Sequence, residues 1–291
     1  MGAQGLAMAS TETVTAVPLS DEDLAALREA VQLLEQDTFT ETVMNTVGKF
    51  IGGSLERVGR FLPKGFRVNG SAILEGVLAK AFDRVVLTVD RDGTGLTGHR
   101  WLDAPLSSPW IDGASAIVAG ALGGVGGLAT TAVELPVTTA LLMRAIAQIA
   151  VREGEDLRTD EGKLECLKVF AFGGRLSADD EVDTGYYSVR LAVAEAVPKL
   201  AHKTLQDLLP KLLARVAQRF SVPVSAKIGS QAAPGIGGAA GALINLAFVD
   251  HFQRKATGHF RVRRLERIYG APLVMELYGA IRQEWLATRR R

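Results

Sequence analysis

The chain has 291 residues, with 33 Lys and Arg against 32 Asp and Glu for a formal charge of +1. That balance argues against a general nucleic-acid binder, which needs a strong positive excess to neutralise phosphates. A single cysteine, Cys166, excludes an internal disulfide framework and a cysteine-rich zinc site, and fits a reducing compartment.

The first eighteen residues hold no Lys or Arg, so the basic head of a secretory signal is missing. Residues 1–19 are expected to be a disordered leader, and 20–291 one helical domain. Ser20 followed by Asp21, Glu22 and Asp23 is a helix start: a capping hydroxyl, then acids against the positive end of the dipole. This helix should run to about Gln36. From Thr38 to Leu62, Phe39, Val43, Val47, Phe50, Ile51, Leu55, Val58 and Leu62 recur at helical spacings, and Pro63 ends the run. Another helix is expected over 71–89, followed by an irregular connection over 90–110.

Two segments then depart from the amphipathic pattern. Gly113 to Val133 gives 21 residues without a charge, and Ile228 to Val249 gives 22. Each is long enough to cross a hydrocarbon core. Both are rich in the small residues that let helix backbones approach closely. Leu, Ile, Val and Phe nevertheless supply only six of the first 21, too few for favourable insertion. The two segments are therefore expected as glycine-rich helices packed together at the centre of the fold, not as bilayer spans.

They also resemble an internal repeat. A shift of 111 residues lays Gly124-Val-Gly-Gly on Gly235-Ile-Gly-Gly, Glu134 on Asn245 and Arg144 on Lys255. Between the copies, residues 152–183 hold ten acids and five bases; a helix should begin at Asp160 and stop at Gly173-Gly174. Helices over 184–197 and 199–220 follow, the second kinked or divided at Pro210. Residues 250–291 have the opposite sign, with ten bases against four acids. A surplus of this kind is ordinarily a solvated face; contact with anionic headgroups is the alternative.

Glu134 is the most informative single residue, because it closes a charge-free run and precedes Leu135-Pro136. A carboxylate there is costly to bury unless paired or protonated. It reads either as half of a structural pair or as a ligand-binding or acid–base group, with Thr138, Arg144 and Asn245 as companions. Asp250 and His251 close the second uncharged run. With Glu134 they would form a hydrolase-like polar site if the two copies pack face to face. His251 and His259 are too far apart along a helix to share one ion, and His-x-x-x-His and His-Glu-x-x-His are absent. The histidines otherwise read as surface or core-satisfied. Cys166 sits on a helix as a core residue, and no nucleophile elbow, P-loop or dinucleotide fingerprint occurs. No metal or cofactor is expected.

Several of these stretches carry a resemblance. Glu134-Leu-Pro-Val-Thr-Thr139, Arg144 to Ala150, Gly154-Glu-Asp156, Leu167 to Gly174, Tyr187 to Arg190, Asn245 to His251 and Ala256 to Gly270 resemble the EcsC protein family. The similarity runs over roughly residues 40 to 285. The family takes its name from the third gene of a bacterial operon encoding an ABC transporter. The resemblance implies a bacterial, cytoplasmic, helical protein associated with the inner face of a membrane, and supplies no catalytic residues. The expected fold is all-α, a single multi-helix domain. The expected function is a non-enzymatic accessory protein whose glycine-rich helices contact a lipid, a membrane surface or a membrane-protein partner. The alternative is the hydrolase-like enzyme built on Glu134, Asp250 and His251.

Overall fold

A computed structural model of the chain describes residues 18–37, 39–43, 45, 60–62, 64–85, 128–173, 185–195, 205–232 and 238–289. The glycine run over 113–127, the irregular connection over 90–110 and most of the helix expected over 38–62 lie outside them. Among the described residues all the regular structure is helical.

Helix α1, Asp21–Glu35, begins as the sequence predicts, with the Ser20 hydroxyl accepting from the Asp23 amide. Its buried residues Leu27, Ala30, Val31 and Leu34 recur at i, i+3, i+4 and i+7, one stripe of a helix. Phe39 and Val43, on a helical turn over 39–43, are buried as the periodicity requires. Helix α2, Lys64–Val85, begins earlier than the sequence indicates and bends at Asn69, whose φ of −126° and ψ of 24° are not helical.

Helix α3, Leu128–Arg152, ends in a turn through Gly154, at φ 77° in the left-handed region that favours glycine. Helix α4, Asp160–Lys168, is capped by Thr159 and tightens into a 3-10 turn, Val169–Gly173, ending at the expected glycine. Helix α5, Tyr186–Glu195, falls within the helix expected over 184–197, whose ends lie outside the described residues. Helix α6, Leu205–Ala232, runs unbroken through Pro210 and Pro223, twelve residues beyond its expected end. Pro210 is exposed, in the second turn, where solvent can reach the backbone it disturbs. The second uncharged segment is thus shared: its first residues close α6, and Gly238 opens α7, Gly238–Tyr269. Gly270, at φ 87°, turns the chain into α8, Ala271–Arg289.

Helix α7 is the central element, packing against α1, α3, α6, α8 and the 3-10 turn. Its first half sits in the larger core, where Phe170, Phe220, Phe248 and Phe252 meet at ring-centroid distances of 4.9–6.2 Å. Its second half joins α1 and α8 around Val262, Leu265, Val274 and Tyr278.

Candidate functional site

Helices α3 and α7 pack against each other, and on them Thr138, Thr139, Arg144, Asn245 and His251 are buried. The Thr139 hydroxyl donates to the Leu135 carbonyl oxygen at 2.8 Å, satisfying itself within its own helix. Glu134 lies on the backbone of α3, and its side chain is outside the described residues. Asp250 is exposed, whereas His251 is buried with its ring 5.7 Å from Phe39 and 5.1 Å from Phe252. Neighbouring positions on a helix point about 100° apart, so this adjacent pair is not brought together.

The densest charged cluster lies instead where α4, α5 and the second half of α7 meet. Glu165, on α4, takes Lys168 Nζ at 2.6 Å and Arg263 Nη1 at 3.3 Å on one carboxylate oxygen. Its other oxygen faces His259 Nε2 at 3.0 Å. The opposite ring nitrogen, Nδ1, is 2.7 Å from the Tyr186 hydroxyl, which in turn receives Arg190 at 3.4 Å. With the hydroxyl donating to Nδ1, the histidine proton belongs on Nε2, towards Glu165.

Around this centre the arginines of α7 are engaged in ion pairs. Arg263 grips Glu155 with both arms of its fork, at 2.9 and 2.8 Å, and reaches Glu161 at 3.0 Å. Arg267 bonds Glu155 at 2.7 Å and the Glu153 carbonyl oxygen at 2.6 Å. Arg261 pairs with Glu29 and Glu153, and Arg264 with Asp23 and Glu153. On the other side Arg190 and Tyr187 both donate to Glu266, at 2.7 and 2.9 Å. Glu35 accepts from Tyr278, Arg282 and the Tyr186 amide. The basic surplus of the C-terminal region is therefore largely neutralised inside the molecule, and its partners are α1 and the acid-rich section.

Burial alone would raise the Glu165 carboxyl, but His259, Lys168 and Arg263 outweigh it and hold the group well below the usual range. Burial pushes His259 down to about 4 against the pull of Glu165. At neutral pH the centre is thus an ionised carboxylate beside a neutral imidazole. Burial likewise raises the Tyr186 hydroxyl and the Cys166 thiol, which keeps both protonated. His259 has no exposed surface, and its two ring nitrogens face Glu165 and Tyr186. Such an arrangement presents no open face to a substrate; chemically it is a clamp joining α4, α5 and α7. Among the described residues no three His, Cys, Asp or Glu side chains are grouped to hold a metal ion.

Sequence reasoning did not assemble Glu165, Tyr186 and His259, which share no motif or spacing. The available signal was the opposite charge of 152–183 and 250–291, since complementary blocks in one chain can satisfy each other.

The sequence model of the EcsC protein family matches residues 112–265. That span takes in α3 through most of α7 and leaves α1, α2 and α8 outside it; it is narrower than the 40–285 over which the resemblance is read. No curated protein and no solved structure matches the chain.

Proposed function

The chain belongs to the EcsC protein family, and from that premise we propose that it is a non-enzymatic accessory protein that meets a lipid or a membrane protein through its two uncharged, small-residue segments. The observation that supports this reading is the common direction of α3 and α7. The turn that closes α3 bonds to Arg261, Arg263, Arg264 and Arg267, near the end of α7. The two packed helices therefore run in parallel. Counting back at about 1.5 Å per residue, Leu128 and Gly238 both lie roughly 37–39 Å from that junction. The uncharged segments enter both helices at one end of the pair. Leu243, near the start of α7, is 55% exposed there.

Thr138, Arg144 and Asn245, with Glu134, are the polar groups we assign to fixing the ligand. The association is peripheral, on the inner face of the membrane. Among the described residues no helix is long and apolar enough to cross a bilayer, and the composition of the first uncharged segment disfavours insertion. Fractionation of cells producing the full chain, with salt and carbonate washes and mass spectrometry of co-purified lipid, tests the reading. Recovery with membranes, release by carbonate and loss of both in Val125→Asp is expected. Recovery in the soluble fraction without lipid or membrane protein would refute it.

A further inference from the structure

The ion pairs of the described residues gather on α1, the helical turn over 39–43, α4, α5, α7, α8 and the turn after α3. Lys64 and Lys80 of α2 and Lys211 and Arg215 of α6 are exposed and take part in none of them. Helices α2 and α6 pack against each other, so these cations lie on neighbouring helices.

On α6 the arrangement is a stripe. Lys211, Ala214, Arg215, Gln218 and Val222 recur at i, i+3, i+4, i+7 and i+11, and all five are exposed. Leu212, Leu213, Val216, Ala217 and Phe220 hold the opposite face in the core. Lys211, Ala214, Arg215 and Gln218 together line a shallow groove. Like charges one turn apart are unfavourable on a helix unless an anion lies between them. The described part of the stripe holds no carboxylate; Asp207, one turn ahead of Lys211, is the nearest acid in sequence. Val222 closes the stripe at 38% exposed, and on the neighbouring helix α2 Val68 is 78% and Ile73 43% exposed. Ile73 shares its helix face with Lys80, and Val68 with Lys64. Cations with aliphatic side chains between them suit a lipid surface, where headgroups meet the one and the acyl boundary the other. A single-stranded nucleic acid would call for aromatic side chains on which bases stack, and the stripe has none.

We propose that the outward stripe of α6, flanked by the exposed cations of α2, is the surface that rests on an anionic phospholipid bilayer. This rests on the membrane-accessory reading above and moves its electrostatic contact from the C-terminal arginines, which are paired, to a surface whose cations make no ion pair among the described residues. The test is flotation of the full chain with phosphatidylcholine vesicles, with and without phosphatidylglycerol. Wild type should bind only the anionic vesicles. Lys211→Glu with Arg215→Glu should lower that affinity on the order of 30-fold or more, while Arg152→Glu, an exposed cation elsewhere, should bind as wild type does. Melting temperatures of the variants verify that both fold. Wild-type binding to anionic vesicles that survives the double substitution, or falls equally with Arg152→Glu, overturns the surface and leaves the accessory reading standing. Equal binding to both vesicles, or tighter binding to DNA, overturns it too. Failure to bind any vesicle and absence from cell membranes would remove both readings.

Discussion

Glu153 and Arg264 stand 111 residues apart in the chain and meet carboxylate to guanidinium at 3.5 Å. The same separation lays Gly124-Val-Gly-Gly on Gly235-Ile-Gly-Gly and Arg144 on Lys255. The turn that closes α3 therefore lies beside the second half of α7. The acid of the turn after α3 opposite a base of α7 makes an attractive pair, and Glu155 between Arg263 and Arg267 adds two more beside it.

At Gly258 helix α7 lies close against α1. A methyl group there would meet Leu34 Cγ at 2.6 Å and the Ala30 carbonyl oxygen at 3.2 Å. Leu34 is itself buried, so the helices must separate to make room. Gly258→Ala should cost about 1–3 kcal/mol by overpacking. Gly279→Ala, on the exposed side of α8 with open space around it, should gain up to about 1 kcal/mol from helix propensity. Thermal melts separate the two, and a Gly258→Ala protein as stable as wild type would contradict the close approach.

Local signals in the sequence carried far, and long-range ones did not. Ser20 with its acids, the glycine after Phe172 and the stripe of α1 each depend on a few adjacent residues, and each was readable. The end of α6 was not, because Pro223 argues for a break that packing of Phe220 and Val224 overrides. The clamp was hidden for another reason. Glu165, Tyr186 and His259 come from three helices, and no one-dimensional pattern states which helices touch. The charge blocks hinted at the pairing, but a basic block alone looks the same whether it faces solvent or an acid elsewhere in the chain.

Lys255 acts as a cap for a helix other than its own. Its ammonium donates to the carbonyl oxygens of Leu34 and, at 3.2 Å, Gln36. Helix α1 has no basic residue in its last turn, so this buried cation answers both the free carbonyls and the negative end of the dipole. Lys255→Met keeps the apolar stem and removes the donors, and should cost about 2 kcal/mol. Amide hydrogen exchange should quicken in the last turn of α1 before it does in α3. Unchanged protection of α1 would show that the cap is dispensable.

Of the three carboxylates that Arg263 meets, Glu155, Glu161 and Glu165, the last two differ sharply in setting. The Glu161 side chain is 65% exposed, and that of Glu165 is 4% exposed. Glu161→Gln should therefore change stability by less than about 1 kcal/mol. Glu165→Gln leaves Arg263 and Lys168 facing a neutral amide in a buried site and should cost about 3–5 kcal/mol. Urea unfolding midpoints give the comparison. Equal effects would mean that burial does not govern the strength of these pairs.

The clamp also sets the acid response of the fold. His259 is held at about 4 in the native protein, against an ordinary value of 6.5. Between these values the unfolded chain takes up a proton that the native state does not, so stability rises with pH across the window and falls as the solution is acidified from about 6.5 to 4. The full interval corresponds to about 3 kcal/mol. Glu165 and Glu155, both held below the ordinary carboxylate value, act in the same direction, and their contribution is lost only at lower pH. Urea midpoints of the wild type should fall between pH 6.5 and 5. His259→Gln should be less stable at pH 7 yet lose much less over that interval, because the group that takes up the proton on unfolding is gone. Parallel pH profiles for the two proteins would assign the acid sensitivity to other groups and leave His259 a purely steric member of the core.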